Sequence, residues 1–138
     1  MRYLLDTNVV SELRKGPACA AAVAAWAGSV ESADLGLSVL VLGEIRQGIE
    51  ALRRRGDGGQ ADLFAAWLDG LKAEFSDRLI SVSPTIAERW GLLRAAFPLP
   101  PIDGLMAATA LEHDVVFVTR DTGPLTGTGL RLVDPWGD

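Results

Sequence analysis

One cysteine and one histidine are all that this 138-residue chain offers to thiol or soft-metal chemistry. Cys19 alone forms no internal disulfide, and Cys19 with His113 falls short of any Cys/His zinc cluster. A bound metal would therefore have to be held by oxygen. Long apolar runs are missing too. The longest near-continuous stretches, Ala18 to Ala27 and Leu35 to Gly43, are well short of the roughly 20 residues that cross a bilayer, so no membrane association is expected. Met1-Arg2 leads straight into Tyr3-Leu4-Leu5-Asp6, which leaves no room for the apolar region of a secretory signal, and a cytoplasmic location is expected. No internal repeat is visible. No phosphate-binding glycine loop precedes a Lys-Ser/Thr pair, and no Gly-x-Gly-x-x-Gly follows a strand, which excludes the common nucleotide-binding α/β classes.

What is present reads as one domain spanning residues 1–138. Apolar residues make up 49% of the chain and charged residues 22%, enough for a real core at this length. The net charge of -5 argues against unspecific adhesion to nucleic acid or membrane, although a local basic strip remains compatible with a polyanion.

Strands and helices alternate. Arg2 to Leu5 reads as a strand, and Asp6-Thr7-Asn8 starts a helix over Val9 to Lys15 that Gly16-Pro17 closes. An alanine-rich helix is expected from Ala18 to Ala27, a strand at Leu35 to Ser38, and an amphipathic helix from Val39 to Arg55. Gly56-Asp57-Gly58-Gly59 reads as a flexible loop before a helix from Gln60 to Phe75. A strand at Leu79 to Val82 and a helix from Pro84 to Phe97 follow, stopped by Pro98-Leu99-Pro100-Pro101. Asp103 opens the next helix, which ends near His113-Asp114; Val115 to Val118 is an apolar, β-branched strand, and Leu130 to Val133 a last short one. The order predicts an α/β fold, a three-layer α/β/α sandwich with a mostly parallel central sheet.

In such sheets ligands bind beyond the carboxyl ends of the strands. Four acids fall there. Asp6 follows the first strand, Glu44 lies in the second turn of the helix after Leu35 to Ser38, Asp103 starts a helix after the proline loop, and Asp121 follows Val115 to Val118 through Thr119-Arg120. Each alone is explained as a cap, a turn residue or a solvated helix acid. Glu44 sits at the flank of a buried stripe of Leu42, Ile45, Ile49 and Leu52, beside Gly48, rather than opposite it. Should the four converge, their repulsion calls for a cation, and hard oxygen donors select Mg²⁺ or Mn²⁺. Such an ion serves phosphodiester hydrolysis.

At these residues the chain resembles the PIN-domain nucleases, in detail the VapC/FitB-type toxins of toxin-antitoxin pairs, over nearly its whole length. Leu4-Leu5-Asp6-Thr7-Asn8-Val9-Val10-Ser11-Glu12-Leu13 looks like the family's opening motif, which implies a metal ligand at Asp6 and a supporting Asn8. The resemblance places the helix glutamate at Glu44 and the third acid at Asp103, within Pro101-Ile102-Asp103-Gly104. The last motif maps to Val118-Thr119-Arg120-Asp121, with Thr119 in support. FitB-like members commonly continue this loop with Asp-Phe, where this chain has Pro124-Leu125. The resemblance implies a Mg²⁺- or Mn²⁺-dependent endoribonuclease, a homodimer inhibited by a cognate antitoxin, with RNA as substrate. Phosphate-contact candidates are Arg14, Lys15, Arg46, Arg53, Arg54, Arg55 and Arg120. A non-cutting RNA- or partner-binding module is the alternative.

Other conspicuous residues read as structural. Trp26, Trp67 and Trp90 sit among apolar neighbours on helices, Trp136 anchors the tail, His113 suits a helix end, and Cys19 suits a buried place in the alanine-rich helix. An aspartyl-phosphate enzyme is disfavoured. It needs a second aspartate two residues after Asp6, where Asn8 stands, and a lysine after a later strand, whereas the lysines are Lys15 and Lys72.

Overall fold

A computed structural model describes residues 1–137. Five parallel strands, β1 (Tyr3–Leu5), β2 (Leu35–Ser38), β3 (Leu79–Ile80), β4 (Val116–Val118) and β5 (Leu132–Val133), form one sheet in the order β3-β2-β1-β4-β5. The helices are α1 (Thr7–Leu13), α2 (Ala21–Gly28), α3 (Val39–Arg54), α4 (Gly58–Glu74), α5 (Pro84–Ala96) and α6 (Pro101–Glu112). From β1 the chain builds outward through β2 to β3, then returns through α5 and α6 to β4 on the other side of β1. Right-handed crossovers running in opposite directions put α1 to α4 on one face and α5 and α6 on the other. The expected three-layer sandwich results.

β1 is the central strand, and its register sets the site: Leu4 lies opposite Gly36 on one side and Phe117 on the other, and Leu5 pairs with Val118. Leu4, Leu5, Leu37, Phe117 and Val118 are buried, and with Val9, Val41, Ile49 and Met106 they make the core. Each such side chain contributes about 1.5–3 kcal/mol through its burial. The crevice where strand order reverses, between β1 and β4, opens at the carboxyl ends of both.

Several boundaries differ from expectation for local reasons. Gly58 and Gly59 are the first residues of α4 rather than a loop, because Asp57 caps the helix by accepting from the Gln60 N–H at 3.2 Å. The turn between α3 and α4 is correspondingly tight, with Gly56 at φ 85°. Pro17 sits in a 3₁₀ turn over Gly16–Ala18, so the alanine-rich helix begins only at Ala21. Cys19 lies extended between the two, half-buried and outside any helix. Ala20 has no side chain to cap α2, and the Glu12 carboxylate accepts its N–H instead, at 2.9 Å. Edge strands are shorter than their apolar runs: Val82 and Leu130 lie outside β3 and β5, which pair only along Leu79–Ile80 and Leu132–Val133. Helix α6 begins at Pro101, which places Asp103 in its first turn rather than at its start. In α3 the stripe is completed by Val41, with Leu42 only partly buried. No helix among the described residues is long and apolar enough to cross a membrane.

Candidate active site

Asp6 is the first residue beyond β1, and both of its carboxylate oxygens are engaged. Its backbone N–H continues the strand ladder to the Val118 carbonyl at 2.9 Å, which draws the loop after β4 alongside. Oδ1 caps α1 by accepting from the Thr7 N–H at 2.8 Å. Oδ2 accepts from the Thr119 hydroxyl at 2.7 Å. Asp6 is 8% exposed and Thr119 0%, so this pair is fixed by the core. The same Thr119 oxygen accepts from the Asp121 N–H at 3.1 Å and thereby folds the following loop back toward Asp6.

Glu44 enters from α3. Its Oε1 accepts from the Thr7 hydroxyl at 2.6 Å, so Thr7 holds Asp6 through its backbone and Glu44 through its side chain. Sequence reasoning missed Thr7. The only signal was a hydroxyl immediately after a capping acid, which is common at helix starts. Asn8 Nδ2 donates to Asp121 Oδ2 at 3.3 Å, while Asn8 Oδ1 is buried without a partner among the described residues. Asp103 projects from the first turn of α6, half-exposed. Asp6, Asp103, Thr119 and Asp121 share a narrow cleft of about 20 Å³ with Leu99, Pro100, Phe117, Pro124 and Leu125, room for about one water or small ion. Pro124 and Leu125 form an apolar wall there, and buried Leu125 ties that loop to the core. A larger cavity, about 520 Å³, lies elsewhere, against α5 and α6.

The acids sense one another. Burial raises the Asp6 carboxyl above the ordinary aspartate value, the Thr119 and Thr7 hydrogen bonds partly offset this, and the charges of Asp103 and Asp121 add to the rise. Asp103 is also raised, first by burial and then by Glu44 and Asp121. All four carboxylates therefore belong to one electrostatic cluster, which a proton or a cation relieves.

The donors are carboxylate, amide and hydroxyl oxygens; Cys19 and His113 lie in other parts of the fold. Among the described residues no three acids converge into a finished metal cage. Hard cations such as Mg²⁺ usually take only one or two protein carboxylates and complete their shell with water, so the chemistry of this donor set fits such an ion. The unpartnered Asn8 oxygen is a further hard donor beside it.

Known proteins resemble this chain over nearly its whole length. A family model described as PIN domain matches residues 3–125. The toxin FitB of Neisseria gonorrhoeae is 30% identical over 142 residues, covering 98% of this chain and 99% of that protein. The VapC ribonuclease Y4jK of Sinorhizobium fredii is 31% identical over 139 residues, covering 96% of each. Among solved structures, FitAcB from Neisseria gonorrhoeae superposes with a TM-score of 0.87 at 28% identity, over 99% of both chains.

Proposed function

The chain belongs to the PIN-domain family, and from that premise we propose that it is the toxin of a toxin-antitoxin pair, a metal-dependent endoribonuclease that hydrolyses RNA phosphodiester bonds. One observation carries the reading. A buried aspartate with both oxygens held, Asp6, shares a cleft with Asp103 and Asp121 at the sheet's switch point, and Glu44 reaches the same rim through Thr7 and its charge on Asp103. Names of the full-length relatives, a VapC ribonuclease and a toxin, support it.

Asp6, Glu44, Asp103 and Asp121 would hold Mg²⁺ or Mn²⁺, which when bound supplies positive charge and Lewis acidity to a phosphodiester. The remaining work belongs to the chain's own groups. Thr119 fixes the orientation of Asp6, Thr7 that of Glu44, and Asn8 that of Asp121. Outer hydrogen bonds of this kind tune ligands. Asp103, in the first turn of α6, brings a carboxylate without a hydrogen-bond partner among the described residues, left available to a cation. RNA, a cognate antitoxin and a second copy of the chain are the partners, and the cytoplasm is the compartment.

The narrow cleft, walled by Pro124 and Leu125, favours a second reading, a module that binds RNA or a partner without cutting. Incubating purified, antitoxin-free protein with a mixed RNA pool separates the two. Discrete fragments that need Mg²⁺ or Mn²⁺, disappear with EDTA and disappear in Asp103→Asn establish the nuclease. Intact RNA under every condition sinks it in favour of the binding module.

A further inference from the structure

The arginines of this acidic chain fall into two groups. Arg46, Arg53, Arg78, Arg89 and Arg131 each lie within 4.0 Å of a carboxylate. Of the phosphate-contact candidates, Arg46 and Arg53 are thus engaged by Glu50 and Asp62, and Lys15 is held by Glu12 at 2.9 Å. Arg14 and Arg120 differ. Among the described residues neither side chain joins an ion pair or donates a hydrogen bond, yet neither is loose. The Arg14 guanidinium lies 4.2 Å over the Phe64 ring and that of Arg120 lies 4.9 Å over Trp136. Both residues are exposed.

Their positions are specific. Thr7, Ser11 and Arg14 lie along one side of α1 and line a groove of about 360 Å³ that begins at Glu44 and runs toward Trp67. Arg120 stands between Thr119 and Asp121. One guanidinium is reached from the Thr7 and Glu44 side of the acidic cluster, the other from the Thr119 and Asp121 side. Glu12, whose carboxyl Arg120 helps hold low, is already occupied by the Ala20 N–H and Lys15.

A guanidinium held over a ring, with no acceptor in the protein, keeps its N–H donors for a phosphate or carboxylate while the ring restricts its motion. Other stacked arginines have spent theirs. Arg78, over Phe75, donates to Leu35 and Glu74 carbonyls and to Asp77, and Arg94, over Trp90, donates to the Leu99 carbonyl. Arg2 stacks on Tyr3 at the amino end of the central strand, away from the acids, and among the described residues neither Arg54 nor Arg55, the latter on the groove wall, has a ring beneath it.

We propose that Arg14 and Arg120 are two phosphate clamps that grip single-stranded RNA on either side of the bond presented to the acidic cluster. This rests on the ribonuclease reading above. With a net charge of -5 the chain has no general attraction for a polyanion, so local, ring-held cations must supply it. A peptide carboxylate also fits one fork, but two forks flanking a hydrolytic centre suit a polymer charged at every unit.

The test is binding of a labelled single-stranded RNA of mixed sequence by the full chain carrying Asp103→Asn, followed by anisotropy from about 0.05 to 0.3 M KCl. Arg14→Ala and Arg120→Ala should each flatten the plot of log affinity against log salt by about 0.7, roughly a fourfold loss at 0.15 M. Arg→Lys should keep the slope while losing part of the affinity, and Arg2→Ala should change neither. Unchanged slopes, equal losses in Arg2→Ala, or no RNA binding by the parent chain overturn the clamps. So does a glutamate-rich peptide that competes at equal concentration with the same arginine dependence, which would assign the forks to a protein partner. Cleavage by the unmodified chain is scored separately. Fallen slopes without any cleavage reject the catalytic reading and keep the clamps; cleavage with unchanged slopes rejects the clamps alone.

Discussion

Asp6 and Asp103 carry the same side chain toward the same cleft, yet the fold treats them differently. Asp6 is built into the sheet edge: its backbone continues the β1–β4 ladder and its two oxygens are held at 2.8 and 2.7 Å by Thr7 and Thr119. Asp103 hangs from the first turn of α6, half-buried, its carboxyl raised first by burial and then by repulsion from Glu44 and Asp121. One half of the site is therefore pinned by hydrogen bonds, and the other is free of them and adjustable. The fixed half supplies geometry. The adjustable half supplies the charge that a cation or a proton must neutralise.

The contrast is broken most severely at the fixed half. Asp6→Asn keeps the cap acceptor and the side-chain shape but removes a charge, so RNA cleavage should fall by more than about 100-fold, beyond the range typical of outer-shell changes, while the circular dichroism spectrum stays unaltered. Normal cleavage by Asp6→Asn would place the chemistry elsewhere. Thr119→Val comes next. It strips Asp6 Oδ2 of its donor and the Asp121 N–H of its acceptor in a fully buried position. Activity should drop about 10- to 100-fold, and urea unfolding should show a loss of about 1–3 kcal/mol for the buried groups left unpaired.

Thr7→Val probes the join between the halves. The backbone cap on Asp6 survives and only the hydroxyl to Glu44 is lost, so cleavage should fall by about tenfold at most with a stability change below about 1 kcal/mol. The smallest effect is expected at Asp103 and is a gain. A carboxyl raised in the folded state binds its proton more tightly there than in the unfolded chain. Its contribution to stability is therefore greatest below the ordinary aspartate value of 3.8 and is lost as pH rises through the folded value. Metal-free Asp103→Asn should consequently melt at a higher temperature than the parent at neutral pH, the difference vanishing in acid. Equal melting temperatures at neutral pH would mean that Asp103 is not under the strain described.

Much of this was legible in the sequence. The alternation of apolar strand runs and helices, with Asp6 opening the first helix, predicts both the layers and the edge at which the acids collect. Asp6, Glu44, Asp103 and Asp121 each sit just beyond a strand or in the first two turns of a helix, and parallel topology sends all such positions to one rim. The hydroxyl of Thr7 was not legible, because its partner is 37 residues away and the contact depends on how α3 packs against α1. Strand ends were misjudged where apolar residues outlast their pairing partner, as at Val82 and Leu130. Gly58 and Gly59 misled for the opposite reason: glycine weakens a helix, but a good cap at Asp57 and the packing of α4 on α3 outweigh it. The division of the arginines into paired and free was invisible as well, since it depends on which acids each one meets in space.

The central place of β1 has a consequence in time. Its ladder to β4 joins Leu4 to Phe117 and Leu5 to Val118, and the hydroxyl that orients Asp6 arrives only with Thr119, 113 positions later. Because translation delivers residues one after another and pairing between distant segments is slow, a growing chain carries Asp6 for most of its synthesis without the strand that completes its surroundings. Assembly of the acidic rim thus waits for nearly the whole polypeptide, a delay set by the order in which the ribosome delivers its parts.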